Sequence, residues 1–271
     1  NWFFGTYAGI KFDITNPTSL PTILTGSLMN QNEGVATISD KDGNLLFYTD
    51  GQLLYDFEHK VMKNELGNDA ILNGSKYSTQ SAVIIKKPGI NNEYYIFTNG
   101  NWFGFTGSNS FSYSIVTIDP ITKKGIVKMF LNSAFEIIDQ NSREVVTATY
   151  HNNGKDIWIV SHDGIKDPTN VTELGYNYKA YLLTESGLKK DLNGDFDYVK
   201  SRVGMRFSGP NRFGNLKFNS TGNKLVAAIG SNDLITSKNL EIFDFNNTSG
   251  EISNAIGLLN SSYLYSAEFS P

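Results

Sequence analysis

The chain has 271 residues, 23 basic and 27 acidic side chains, a formal charge of −4 and no cysteine, which excludes disulfides, thiolate metal sites and a cysteine nucleophile. The basic residues are scattered, against the basic stripe of a nucleic-acid binder, and no apolar run reaches the roughly 18 residues of a membrane-crossing helix, so no direct membrane insertion is expected. The length admits one large domain or two small ones with a substantial core. The 18 Phe, 14 Tyr and 25 Gly suit short strands and tight turns.

In chain order, FFGTYAGIKFD (3–13) reads as an N-terminal strand. VATISDKDGNLLFYTDG (35–51), SAVIIKKPGINNEYYIFTNG (81–100), VTATYHNNGKDIWIVSHDG (146–164) and NLKFNSTGNKLVAAIGS (215–231) each read as strand, turn, strand and polar stop. Their turns carry Gly, Asn, Asp or Pro because a tight hairpin needs positive or preset φ. Each is followed by further strands: LLYDFEHKVM (53–62, degenerate), FSYSIVTIDPITKKGIVKMF (111–130), AYLLTESGLKK (180–190) and LEIFDFNNTSGEIS (240–253).

A four-stranded up-and-down unit recurring every ~50–65 residues predicts a β-propeller. The expected blades span about 30–65, 78–132, 145–190 and 213–254, and a fifth begins at 263 with YSAEFSP (265–271). Residues 1–271 then form one propeller domain, truncated at its C-terminal end, of a ring of about seven blades. The N-terminal strand is expected to complete the final blade. Runs such as YYIF (94–97) and IWIV (157–160) suit inner strands buried on both faces.

These residues carry a resemblance. NWFFGTYAGIKF, NEGVATISDKDGNLLFYTDG, STQSAVIIKKPG, HNNGKDIWIVSHD, LEIFDFNNTSGEIS and YSAEFSP resemble the N-terminal propeller of large secreted surface proteins of gliding Bacteroidota, substrates of type IX secretion associated with gliding motility. The resemblance implies export, a removed signal peptide and a place at the cell surface or outer membrane. It carries over no catalytic motif.

Several groups are candidates for chemistry. Trp102, Phe103 and Phe105 lie in the Gly/Ser/Asn-rich NGNWFGFTGSNS, where aromatics stack on sugars, dock a protein, or fold over the core. Arg202, Arg206 and Arg212 are three of the four arginines and sit in one segment, able to pair with acidic groups of a partner or with local ones. Asp191, Asn193, Asp195 and Asp197 alternate in DLNGDFD, a spacing that wraps calcium or forms an acidic loop, although Phe196 stands where an EF-hand loop has Gly. His151 and His162 flank one hairpin, with His59 elsewhere, and with Asp163 are either metal ligands or hydrogen-bonded structural residues. Glu33, Asp50 and Glu136 are carboxylates for which no paired partner is legible. Nucleophile-elbow, P-loop and H-E-x-x-H motifs are absent from the sequence.

The reading from sequence is therefore a non-enzymatic, adhesin-like binding or scaffolding module without a cofactor, tied to gliding motility or type IX secretion as substrate or accessory. Its partners are proteins at the cell surface or secretion apparatus, or a glycan, with no nucleic acid. The alternative is a glycan-active hydrolase or lyase using the propeller channel.

Overall fold

A computed structural model describes residues 1–13, 15–16, 18–100, 110–164, 175–206, 213–229, 239–259 and 264–270. Among these the chain is all-β, with 21 strands and no helix. It divides into two compact units, one built from 1–86, 91–108 and 112–137, the other from 87–90, 109–111 and 138–271.

The first unit opens with an antiparallel sheet of β1 (Trp2–Phe4), β2 (Ala8–Lys11) and β3 (Thr22–Leu24). The expected single strand over 3–13 is thus a hairpin, broken where Gly5 and Tyr7 take positive φ (56° and 59°). Phe3 and Leu24 both pair with Gly9, which leaves the Phe3 ring room to stack on Tyr48, 4.5 Å between centroids. The next sheet is β4 (Ala36–Ser39), β5 (Leu45–Thr49) and β6 (Leu54–Asp56). A third runs β8 (Ala82–Lys86), β9 (Glu93–Asn99), β10 (Phe111–Ile118) and β11 (Gly125–Val127), with the short β7 (Lys63–Asn64) parallel to β11 at its edge. β12 (Glu136–Asp139) pairs with β10. Ile96 and Phe97 are consecutive yet both wholly buried, so the inner strand β9 is covered on both faces and the apolar run has its physical cause.

The second unit holds β13 (Ser142–Tyr150), β14 (Ile157–Asp163) and β15 (Asn177–Thr184) in sequential antiparallel pairing. The outer strand beside β15 is divided: β16 (Gly187–Leu188) pairs one end and β17 (Val199–Arg202) the other. The final sheet is a complete four-stranded meander, β18 (Gly214–Phe218), β19 (Lys224–Ile229), β20 (Leu240–Asn246) and β21 (Glu251–Leu259). Trp158, Tyr178, Leu216, Phe243, Phe245 and Ile252 anchor one buried cluster in this unit. The described residues of the last segment, 264–270, form no strand.

One turn recurs. The Asp40 amide donates to the Asn44 carbonyl (2.8 Å), its Oδ1 accepts the amides of Asp42 and Asn44 (3.0 and 2.8 Å), and Gly43 at φ 78° donates back to the Asp40 carbonyl. The same pattern appears at Asn64 with Gly67, Asp191 with Gly194 and, one residue longer, Asn219 with Gly222. At Asp56 the positive-φ place is taken by His59 (65°). An Asp or Asn at the first position replaces backbone acceptors that the reversal leaves unused.

Candidate functional site

Among the described residues the metal-ligand candidates read from sequence do not converge. Trp102, Phe103, Phe105 and Arg212 lie outside the described residues. Asp191 engages its Oδ1 with the amides of Asn193 and Asp195, and Asp197 pairs with Lys189 at 2.8 Å, so the alternating acidic pattern serves a turn. Among the described residues no three His, Asp or Glu side chains are placed to hold a metal.

The histidines are separate. His151 sits at the turn end of the β13–β14 hairpin, its Nδ1 accepting the Asn153 amide (3.0 Å) and its Nε2 donating to the Thr248 carbonyl (3.1 Å). His162 lies near the other end of β14, five residues past Ile157, about 16 Å along the strand at ~3.3 Å per residue. It is wholly buried, and that burial pushes its pKa down to about 3, so the ring is neutral, with Nδ1 donating to the Asp163 carbonyl at 2.6 Å. His59 meets the Tyr48 hydroxyl at 3.1 Å.

Most of the carboxylates singled out are engaged. Asp50 accepts the amides of Gln52 and Leu53 (2.8 and 2.7 Å), and Glu136 accepts the Tyr113 hydroxyl, which raises that phenol's pKa beyond the effect of its burial. Asp163, the acid of the VSHDG stop, is buried and accepts three hydrogen bonds: Gly175 and Asn177 amides at 2.8 and 3.0 Å, and the Asn177 side chain at 2.6 Å. It closes a strand corner. Asp139 pairs with Lys179 at 2.5 Å. Partial burial raises the pKa of Glu33.

One carboxyl differs, and the sequence reading missed it. Glu241 is 7% exposed on β20, in register with the buried Phe243 and Phe245. Its cross-strand partners are Ala227 and Gly257, both small, so the carboxyl is not crowded from the sides. Beside it β21 shifts register, passing from Leu259 opposite Leu240 to Gly257 opposite Glu241, a bulge of the kind that re-aims a side chain. Glu241 Oε2 accepts the Met205 amide at 2.8 Å. Gly204, at φ 80°, brings that amide in, and a Cβ there would stand 2.9 Å from Oε2 and 2.7 Å from the Phe243 ring. Among the described residues no cation pairs with Glu241, and burial raises its pKa, offset in part by the Met205 bond. The legible signal was E-x-F-x-F in LEIFDFN, a carboxylate on the aromatic face of a period-2 strand.

The same segment carries arginines. Arg202 ends β17 and Arg206 follows Gly204 by two residues; each guanidinium carbon lies 5.2 Å from the Tyr176 ring centroid. Tyr176 directly precedes β15, whose Asn177 pairs with Arg202. Further in, Tyr178 packs edge-on to His162 (4.5 Å) and against Phe243 (5.1 Å). The second unit therefore sets a buried, unneutralised carboxyl and two guanidiniums on one short segment, 202–206, and the strand it contacts.

No protein-family model matches the chain. No curated protein matches it in sequence. Among solved structures the chain is similar to a periplasmic gluconolactonase of Pseudomonas aeruginosa, at 11% identity and TM-score 0.36, covering 84% of this chain and 55% of that one. It is also similar to a crystal structure named as a putative 6-phosphogluconolactonase of Bacteroides uniformis, at 12% identity and TM-score 0.34, covering 95% of this chain and 80% of that one. The chain thus spans about half the length of the first. These findings correct the reading of a non-enzymatic, adhesin-like scaffold: the structures it is similar to are named as lactonases, which are hydrolytic enzymes, and neither as an adhesin, motility or secretion protein.

Proposed function

We propose that the chain supplies blades of a single β-propeller and acts as a hydrolase of acyl esters, lactones included, with Glu241 as the general base. The propeller part is supported by the complete meander of β18 to β21 and by the related strand sets of the third and fourth sheets. Export to the cell surface belongs to the same proposal and is supported by the resemblance of the repeat segments. Surface labelling of intact source cells tests it.

The observation that carries the hydrolase reading is Glu241, a buried carboxyl held by one backbone amide with no cation against it among the described residues. A carboxyl raised by burial binds a proton more tightly than an exposed one, so its ionised form is a better base for a water molecule. The ionised carboxylate takes a proton from water as the oxygen attacks the acyl carbon. The acyl–oxygen bond then breaks, and the alkoxide leaving group takes the proton that the Glu241 carboxyl removed from water, which gives alcohol and acid and restores the carboxylate. A glycosidase needs two carboxyl groups in complementary states. Among the described residues Asp163 accepts three donors and Asp139 is paired with Lys179, so neither offers Glu241 a second free carboxyl, which favours acyl over glycosidic chemistry.

The test is a pH-stat screen of the purified chain on sugar lactones and acetylated oligosaccharides, with Glu241→Gln beside it. Acid release that disappears in the variant is expected. Release that persists in the variant assigns the base elsewhere, and no release from any ester rejects the reading.

A further inference from the structure

Two guanidiniums share one aromatic ring, although like charges so placed repel unless something negative lies between or beside them. Stacking on an aromatic ring uses the face of a guanidinium and leaves its in-plane N–H edge to be met by other groups. In Arg206 the Nε and Nη2 atoms are buried and have no hydrogen-bond partner among the described residues. Buried donors of this kind are costly unless an acceptor fills the place. Glu241 takes the amide of Met205, the residue before Arg206. Nε and one Nη on the same edge of a guanidinium form the fork that a carboxylate or phosphate engages with two oxygens. Gly204 holds this edge in place, because its positive φ turns the chain between the two arginines.

We infer that Arg206, with Tyr176 and Arg202, forms a binding site for an oxyanion carried by the substrate, a sugar carboxylate or a phosphate. The link to a substrate rests on the hydrolase reading; the anion site itself does not. Glu241, directly opposite Gly257 across the sheet and in contact with the 204–205 backbone, is then the base working beside a fixed anionic group.

The experiment is isothermal titration calorimetry of the intact chain with inorganic phosphate and, separately, gluconate. Saturable binding of at least one is expected, weakened tenfold or more in Arg206→Gln and kept in Glu241→Gln. Arg206→Lys retains the charge without the fork and is expected to lie between, with thermal melting showing that each variant is folded. Phosphate alone assigns a phosphorylated substrate and gluconate alone a sugar acid. Binding of neither, or binding equally strong in folded Arg206→Gln, overturns the site. Binding without ester turnover rejects the hydrolase reading and leaves the anion site standing. Turnover of neutral lactones without any anion binding does the reverse.

Discussion

The acidic loop at 191–197 and the strand β20 at Glu241 make opposite use of carboxylates. The loop has the look of a site: three Asp and one Asn in alternation on an exposed tip. Its first acid is nevertheless consumed by the turn, bonded to the amides of Asn193 and Asp195 while Gly194 closes the reversal. Glu241 sits alone between apolar residues in LEIFDFN and looks like a packing irregularity, yet it keeps its carboxyl nearly unengaged. Acidity in sequence reports the local turn. Availability for chemistry depends on which donors arrive from elsewhere in the chain.

The sharpest break of this comparison is catalytic. Glu241→Gln preserves shape and removes the proton acceptor, and ester turnover is expected to fall by about 10²–10⁴-fold. Equal turnover in the pH-stat assay removes Glu241 from the mechanism. Next in size is Asp163→Ala, which strands three donors in a buried corner and is expected to cost about 3 kcal/mol or more in chemical denaturation. A loss no larger than that of an exposed turn acid contradicts its role as the closure of the strand.

A pH series sharpens the contrast further. Burial raises the folded-state pKa of Glu241 above its unfolded value, so its protonated form contributes stability at low pH and that contribution is lost as pH rises through the raised pKa. Glu241→Gln does not titrate. The wild-type chain is therefore expected to match the variant in acid and to become progressively less stable than it toward neutral pH; a constant gap in denaturation midpoint between pH 4 and 8, roughly the span where carboxyls titrate, argues that the carboxyl is solvated. The smallest effect belongs to the loop. Asp191→Ala removes turn hydrogen bonds at the surface and is expected to cost about 1 kcal/mol. Calcium is expected to leave the melting temperature of the wild-type chain unchanged, and a calcium-dependent rise reopens the loop as a metal site.

The hairpins were legible because their determinants are local. DKDGN and NSTGN place the side-chain acceptor and the positive-φ glycine within one turn, and the flanking strands follow from the apolar runs. The N-terminal segment was harder. Its break at Gly5 to Tyr7 depends on pairing with 22–24 and on seating Phe3 over Tyr48, contacts no nearby residue announces. Which of the two readings of the histidines applies was decided for a related reason. His151 and His162 are close in sequence, but an extended strand carries them to opposite ends of one hairpin.

By itself the sequence determined that this chain is all-β, where its turns fall and which strands are buried on both faces, since backbone reversal and side-chain periodicity are properties of a few consecutive residues. Only the tertiary structure decided which polar groups remain available. Glu241 meets the amide of Met205, 36 positions earlier in the chain, and Arg206 reaches Tyr176 through the pairing of β15 with β17. Desolvation and hydrogen-bond saturation are set by such distant arrivals, so the same Asp or Glu is a turn element in one place and a buried carboxyl with a raised pKa in another.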